Sequence, residues 1–435
     1  MKTLLCGSVA ILVLSVAIVS ESSQSRGAWT FEIDPAVRSG RPAVIAKATA
    51  DTSQPIYACV RSLREDDRNT TIESASFTPS EEVRIEVPSD LESPTPVEIA
   101  VSMSPSMTSP TFSWRTVAPR RGQQLIQYRG KKTFPPPDDF DTYWEEAKHE
   151  LDKVPITPAI ERVPDKDTST GLLHKVTLPA LGATKIVCWY YVPRKAYDND
   201  GRIVAHFPAV IIMPGYGAEE PPVDRTSSGV ITLSVNPRNH GPSRDYWKAP
   251  VEHLLWNIVE PEKFYYRYAF MDCLQAARFL FTRAEVDPKR VAAEGGSQGG
   301  LFALALGALE PRIACVVSNV TAFSAFGDGM LLAERGHHTQ YGKLLQDYPT
   351  SASRIRRSLA YIDGANLATR IRCPVQINMG GVDPVCNYVT GIVVYNSVPR
   401  GVPKEYNVLP MCTHAVPPEM RAWNQAWYRR WLKLP

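Results

Sequence analysis

The chain has 435 residues, of which 44% are hydrophobic and 21% charged, and its formal net charge is +3. This length is enough for two or three domains with large cores, and so small a net charge, without any block of Lys or Arg, argues against nucleic-acid binding. No Cys/His spacing resembles a zinc site and no glycine loop of the phosphate-binding kind occurs, so we expect neither a metal nor a cofactor.

The first residues have the pattern of a secretory signal peptide. Lys2 provides a positive charge, the segment 4–19 is almost wholly apolar, and Ser20 and Ser22 are small residues suited to cleavage. We therefore assign residues 1–22 to a signal and expect a secreted or periplasmic protein that has no membrane contact after cleavage. An uncleaved membrane anchor is the alternative, because the apolar run approaches the length that spans a bilayer.

Residues 27–118 carry short apolar runs separated by clusters of Pro, Ser, Asp and Asn. This pattern is typical of a small β-sandwich of the immunoglobulin type, and it defines the first predicted domain. The predicted strands are 28–33, 43–48, 56–60, 83–87, 97–103 and 111–117.

Residues 119–435 form the second predicted domain, which begins with a linker at 119–122. Asp138 or Asp139 can cap a helix with an apolar face up to residue 151. Apolar strands then alternate with helices, which predicts an α/β fold with a doubly wound, mostly parallel sheet. The predicted strands are 175–178, 185–192, 209–213, 230–235, 290–294, 313–318, 375–379 and 405–409, and the predicted helices are 264–282, 301–309 and 419–432.

The stretch 291–300 is the most informative part of this domain. It contains an apolar strand, a Gly-x-Ser-x-Gly turn centred on Ser297, and the start of a helix. Glycines permit this strained turn, and a serine on it exposes its hydroxyl at the end of a sheet, where a histidine can accept its proton. The context therefore predicts an α/β-hydrolase with Ser297 as the nucleophile.

The histidine that serves as the base can be found by elimination. In α/β-hydrolases the acid and then the base follow the serine along the chain, and three of the eight histidines follow Ser297. His337 and His338 come too early to leave room for an acid-bearing strand, and we expect them to be solvated in a lid segment. His414, just past the strand 405–409, is the predicted base.

The acid and the oxyanion donors follow from the positions of strand ends. Asp383 comes after the strand 375–379, at the carboxyl end where open α/β sheets build their sites, whereas Asp363 and Glu405 are less well placed. Backbone N–H groups must stabilise the oxyanion of a tetrahedral intermediate. We expect one from Gln298, directly after the nucleophile, and one from Tyr216, in the glycine-flanked turn after the strand 209–213.

The number of cysteines limits which disulfides an exported chain could form. Cys6 lies in the predicted signal, which leaves seven of the eight cysteines in the mature chain, an odd number. Cys386 and Cys412 lie in loops beside candidate catalytic residues, so a disulfide between them is a hypothesis. The cysteines within apolar runs are expected to be buried thiols; they are Cys188, Cys273, Cys315 and Cys373.

Several stretches together resemble the acetyl xylan esterase/cephalosporin C deacetylase family of α/β-hydrolases (carbohydrate esterase family 7), over about residues 125–435. The resemblance implies Ser297, Asp383 and His414 as catalytic residues and Tyr216 and Gln298 as oxyanion donors. It also implies removal of acetyl groups from sugars, no metal or other cofactor, and assembly into homo-oligomers. The stretches that carry it are 139–144, 215–217, 265–268, 285–291, 295–300, 359–368 and 381–386.

The chain departs from the family pattern at three places, which we expect to line the pocket: Pro214, the stretch 387–389 and Ala415. The resemblance implies a small acetylated sugar or oligosaccharide as the substrate, and these changes affect which sugar it is. Two alternatives stay open, a serine peptidase of the prolyl-oligopeptidase type and a non-catalytic carbohydrate-binding or surface protein. The N-terminal region is too short for the propeller that is usual in the former.

Overall fold

The computed structural model describes residues 134–381, 383–409 and 412–434, and the backbone of eight strands within residues 1–133. The chain divides into two compact units, Met1–Tyr128 and Arg129–Pro435. Within the described residues, no helix combines the length and the hydropathy that crossing a membrane requires.

The N-terminal unit contains two four-stranded sheets, with the orders β1-β2-β3-β6 and β5-β4-β7-β8, and all their pairings are antiparallel. Each of the six predicted strands has a counterpart, and the packing of the sheets as a sandwich stays a prediction. Thr71–Phe77 was not predicted because its few apolar residues do not alternate. The strands are β1 (Val13–Ala17), β2 (Ala28–Asp34), β3 (Ala43–Thr49), β4 (Ile56–Ser62), β5 (Thr71–Phe77), β6 (Glu82–Glu86), β7 (Val97–Ser102) and β8 (Ser113–Val117).

The C-terminal unit is built on a nine-stranded sheet with the order β17-β16-β15-β14-β12-β13-β11-β10-β9. The six strands from β17 to β13 are parallel, and β11, β10 and β9 add an antiparallel edge. This confirms the predicted α/β fold with a mostly parallel sheet. The strands are β9 (Ala159–Arg162), β10 (Gly171–Ala180), β11 (Thr184–Pro193), β12 (Phe207–Met213), β13 (Ile231–Asn236), β14 (Val286–Gly296), β15 (Cys315–Asn319), β16 (Val375–Gly380) and β17 (Lys404–Leu409).

Helices cover the sheet, and four of them match the predicted ones. Five others were missed; one of these, Tyr388–Ser397, is rich in β-branched residues and so has a weak helical signal. The helices are α1 (Phe140–Asp152), α2 (Tyr265–Phe281), α3 (Gln298–Leu309), α4 (Phe326–Leu332), α5 (His337–Asp347), α6 (Ala352–Ile362), α7 (Gly364–Ala368), α8 (Tyr388–Ser397) and α9 (Pro418–Trp431).

Asp139, one of the two predicted caps, occupies the N-cap position of α1 but does not cap the helix with its side chain. Its carboxylate instead accepts hydrogen bonds from Tyr361 Oη at 2.6 Å and from Arg357 Nη2 at 2.6 Å. The aspartate therefore connects the start of α1 to α6.

A buried ion pair connects the segment after β13 to α2. Arg238 and Asp272 are 4% and 0% exposed, and the carboxylate accepts from Arg238 Nη2 at 2.7 Å, Nε at 2.8 Å and the backbone N–H at 2.9 Å. Arg238 Nη2 also donates to the carbonyl of Leu181 at 2.7 Å. Because these groups satisfy one another in the interior, the segment is held firmly beside the helix that precedes the elbow strand.

Replacing Asp272 by Ala should lower the free energy of unfolding by about 3–5 kcal/mol, because it leaves a buried guanidinium without its counter-charge. The matched control is Asp347→Ala, which removes the exposed pair with Lys343 on α5 and should cost about 0.5 kcal/mol or less. Urea unfolding of both variants measures the difference, and losses of similar size would contradict the assignment of Asp272 as an anchor.

Candidate active site

Ser297 lies between the end of β14 and the start of α3, at φ 58° and ψ −121°. Positive φ is unfavourable for a residue with a side chain, so hydrogen bonds on both sides must hold it. Its N–H donates to Asn319 O at 2.9 Å, and its carbonyl accepts from Gly300 N at 2.9 Å and Ala322 N at 3.1 Å. The strained serine is therefore fixed by backbone contacts to the neighbouring strand β15 and the loop after it.

Glycines on either side allow the close approaches that the turn requires. A Cβ on Gly299 would lie 2.1 Å from Met213 O, and one on Gly295 would lie 2.3 Å from the Gly299 carbonyl carbon and oxygen. A Cβ on Gly215 would lie 4.0 Å from Ser297 Cβ. The end of β12 can therefore run directly beside the elbow because Gly299 has no side chain, whereas a Cβ on Gly215 would make only ordinary contacts.

The structure brings the three predicted catalytic side chains together at the carboxyl ends of three strands. His414 Nε2 lies 2.9 Å from Ser297 Oγ, and His414 Nδ1 lies 2.7 Å from Asp383 Oδ2. The other oxygen of Asp383 accepts from the N–H groups of Val385 at 2.8 Å and Cys386 at 3.0 Å. A carboxylate that accepts the Nδ1 proton leaves Nε2 free to accept a proton from the serine.

The two other candidate acids lie in different surroundings. Asp363 caps α7 and accepts hydrogen bonds from three backbone N–H groups, those of Ala325, Phe326 and Ala365, and burial raises its pKa to about 6. Glu405 accepts from Gln376 at 3.1 Å and lies near Arg430. Asp363 therefore has a structural role, and neither acid is hydrogen-bonded to His414.

The predicted oxyanion donors flank Ser297. Tyr216 follows Gly215, and Gln298 is the first residue of α3, where the helix dipole favours negative charge. Among the described residues, no protein group accepts a hydrogen bond from either backbone N–H. Both groups are thus available to an oxygen that develops negative charge at the serine.

The prediction that His337 and His338 are solvated is wrong. They are 7% and 0% exposed, because the start of α5 packs tightly on α4: a Cβ on Gly329 would lie 2.4 Å from His338 Nε2. His337 Nε2 accepts from Phe323 N–H at 3.1 Å, which puts its own hydrogen on Nδ1. Burial lowers the pKa of His337 well below its ordinary value and that of His338 to about 4.

A cavity of about 590 Å³ opens over Ser297 and His414, a size usual for sites that bind small molecules. Its wall includes the apolar side chains of Leu254, Val320, Val385 and Val416 and the polar side chains of His337 and Gln340. Of the three departures expected to line the pocket, only Ala415 is among its lining residues. Asn387 instead caps α8 by accepting from Val389 N–H at 3.0 Å.

The disulfide hypothesis for Cys386 and Cys412 is not supported, since both are buried free thiols. Cys188, Cys273 and Cys315 are buried free thiols as predicted, whereas Cys373 is partly exposed. Cys386 also forms a cluster with Asp383 and His414 whose potential metal-ligand atoms lie within 4.8 Å of one another. Two of these atoms, His414 Nδ1 and Asp383 Oδ2, are 2.7 Å apart and form a direct hydrogen bond.

Two histidines set aside because they precede Ser297 in the chain prove to lie behind it. His240 and His253 are 0% and 3% exposed, and both contact the side chain of Gln298. Sequence reasoning missed this cluster because its members are distant in the chain and no motif joins them.

A family model, a curated relative and two solved structures similar to this chain are all described as acetyl esterases or acetyl xylan esterases. Residues 122–433 match the family model described as acetyl xylan esterase. The acetyl esterase Axe7A of Xylanibacter ruminicola is 25% identical over 314 residues, which are 68% of each chain. Two solved structures share the fold at 24% identity. The acetyl xylan esterase of Paenibacillus sp. R4 covers 71% of this chain and 98% of its own with a TM-score of 0.64. Acetyl xylan esterase 1 of Thermoanaerobacterium sp. JW/SL YS485 covers 73% and 99% with a TM-score of 0.63.

Gly299→Ala should displace the elbow, because its Cβ would overlap Met213 O. A displacement of about 1 Å slows a reaction at the serine by roughly 100-fold, so labelling of Ser297 by a sulfonyl fluoride should slow by about that factor. The control is Gly342→Ala in α5, where the nearest atom would lie at an ordinary 3.8 Å. If Gly299→Ala is labelled as fast as this control, the close approach does not position the serine.

Proposed function

This chain belongs to the acetyl xylan esterase family, whose members are carboxylic ester hydrolases, and on that premise we propose that it removes acetyl groups from small acetylated carbohydrates through an acetyl-enzyme on Ser297. The family match favours ester hydrolysis over the peptidase and the non-catalytic alternatives. The proposal concerns the substrate, the intermediate and the roles of individual residues.

The observation that carries the proposal is the continuous chain of hydrogen bonds from Asp383 through His414 to Ser297. The contacts of 2.7 Å and 2.9 Å are within the range of direct hydrogen bonds. A serine hydroxyl is a weak nucleophile until a base removes its proton, and the base needs a third group to fix its tautomer. The arrangement supplies both, beside a cavity in which an ester can bind.

In the first half-reaction, Ser297 Oγ attacks the acetyl carbonyl carbon while His414 Nε2 accepts the hydroxyl proton. The backbone N–H groups of Tyr216 and Gln298 stabilise the negative charge that forms on the carbonyl oxygen, and each such donor contributes about 3 kcal/mol. When the tetrahedral intermediate collapses, the bond between the carbonyl carbon and the sugar oxygen breaks. His414 returns its proton to that oxygen, and the sugar leaves as an alcohol.

In the second half-reaction, water attacks the carbonyl carbon of the acetyl-enzyme. His414 accepts a proton from the water, and the same two N–H groups stabilise the second oxyanion. Ser297 Oγ then leaves and takes the proton back from His414, so the enzyme is restored and acetic acid is released. Asp383 keeps its negative charge throughout and stabilises the imidazolium that forms twice in each cycle.

The lining of the cavity supports a neutral substrate. No Lys, Arg, Asp or Glu is among its described lining residues, so the site offers no partner for a charged group. Apolar side chains can pack against the acetyl methyl group and the faces of a sugar ring, while polar atoms of His337 and Gln340 are available to hydroxyl groups. An acetylated sugar or short oligosaccharide fits these requirements.

Replacing Ser297 by Ala should reduce acetate release from acetylated xylan, acetylated xylose and 4-nitrophenyl acetate by at least about 1,000-fold, because no other group can form the acetyl-enzyme. Ser227→Ala, at an exposed serine outside the cavity, is the control and should keep the wild-type rate. Substantial acetate release by Ser297→Ala would refute the assigned nucleophile. Turnover of the nitrophenyl ester alone by the wild type would refute the carbohydrate substrate.

We also propose that residues 1–22 are removed during export. The apolar run with its flanking Lys2 supports this, and cleavage would remove β1, which pairs with β2 in the structure. Expression with export should give a mature protein outside the cytoplasm whose N-terminus begins near residue 22, as read by N-terminal sequencing. An intact N-terminus on membrane-bound protein would favour the anchor instead.

A further inference from the structure

Behind the nucleophile lies a closed set of hydrogen bonds centred on the side chain of Gln298, which the proposed reaction does not use. Gln298 is fully buried. Its carbonyl oxygen Oε1 accepts from Tyr266 Oη at 2.8 Å and lies 3.3 Å from His253 Nε2, while its amide Nε2 lies 2.9 Å from His240 Nε2. Every polar atom of this side chain therefore has a partner.

The direction of each bond follows from the outer members of the set. Ala249 N–H can only donate, and it lies 3.0 Å from Asn239 Oδ1, so the Asn239 amide nitrogen faces His253. That nitrogen donates to His253 Nδ1 at 2.9 Å, which leaves the imidazole hydrogen on Nε2, where it can be donated to Gln298. At the other end, His240 Nε2 accepts from Gln298, and His240 Nδ1–H donates to Arg238 O at 3.1 Å.

This direction requires both imidazoles to be neutral, since each accepts one hydrogen bond and donates another. Burial satisfies the requirement: it lowers the pKa of His240 to about 4 and that of His253 to about 3. Both groups therefore stay uncharged at neutral pH, and the set of bonds is unchanged over the range in which a histidine base works.

His253 also contacts Tyr216, the second predicted oxyanion donor. The ring of Tyr216 packs on His253 with a centroid distance of 4.3 Å and an interplanar angle of 32°. His253 thus packs against the ring of Tyr216 and is hydrogen-bonded to the side chain of Gln298, the two residues predicted as oxyanion donors. Tyr265 packs on His253 as well, with centroids 4.4 Å apart, so the imidazole has little freedom to move.

From this geometry we propose that His253 and His240 are positioning residues of the oxyanion hole: as neutral donors and acceptors they fix Gln298 and Tyr216, so that the two backbone N–H groups converge on the oxygen of the tetrahedral intermediate. The inference rests on the proposed function, because it requires an oxyanion at Ser297. The loss of one oxyanion donor lowers kcat by about 100-fold to 1,000-fold, which sets the upper bound for the effect of a displaced donor.

The test compares variants that keep volume with variants that keep the hydrogen bond. His253→Phe preserves a ring against Tyr216 but removes both ring nitrogens, and His240→Leu removes the acceptor for Gln298. Each should lower kcat for 4-nitrophenyl acetate by about 10-fold to 100-fold with little change in KM, because the donors act mainly in the transition state. His240→Gln offers an amide oxygen in place of Nε2 and should restore most of the lost kcat.

A second readout separates positioning from mere stability. A trifluoromethyl ketone binds Ser297 as a tetrahedral oxyanion adduct, so its inhibition constant should rise by the same factor by which kcat/KM falls in each variant. Melting temperatures are measured alongside. If one variant fails to fold, the other carries the test, since the two residues contact different atoms of Gln298.

The proposal is overturned if His253→Phe and His240→Leu keep wild-type kcat and inhibitor affinity. It is also overturned if activity falls only in proportion to the folded fraction while the inhibition constant is unchanged. The proposed function fails in a different way, through a wild-type protein that does not hydrolyse the ester or through full activity of Ser297→Ala. The two failures are therefore distinguishable in one set of measurements.

Discussion

The strained turn at Ser297 is the constraint on which the arrangement of the site depends. A serine at φ 58° directs its hydroxyl into the cavity only while the surrounding backbone holds it there. That backbone can come close enough only because Gly295 and Gly299 have no side chains, since a Cβ on either would lie within 2.3 Å of a backbone atom. The same close approach brings the end of β12, and with it Tyr216, beside the nucleophile. One local conformation therefore sets the position of the serine and of both candidate oxyanion donors.

The parallel sheet positions the other two side chains of the site, Asp383 and His414. Because β14, β16 and β17 run in the same direction, the loops that follow them open at one edge, and those loops carry Ser297, Asp383 and His414. The turn motif predicted Ser297 and chain order predicted His414, and the position of a strand end favoured Asp383 over Asp363 and Glu405, which stand before or at the start of a strand. The elimination depended on chain order and topology, which a single sequence reveals well.

Contacts made by packing were not accessible in the same way. The predicted exposure of His337 and His338 failed because no periodic pattern in the sequence shows that the start of α5 is buried against α4. The hydrogen bonds around Gln298 were missed since each side chain was judged by its own motif, and a histidine that precedes the serine has no role in the motif. Exposure and hydrogen-bond partners are properties of the assembled fold, whereas strand ends and turns are properties of the local chain.

The central claim is that Ser297 carries the acetyl group between the two half-reactions, and direct capture of that intermediate is its most direct test. The full-length protein would be mixed with 4-nitrophenyl acetate, quenched in acid within the burst phase and digested for mass spectrometry. The account predicts one added acetyl group on the peptide that contains Ser297, and no acetyl group on the same peptide of Ser297→Ala. An acetyl group found reproducibly on Cys386 or His414 instead, with the Ser297 peptide unmodified, would contradict it.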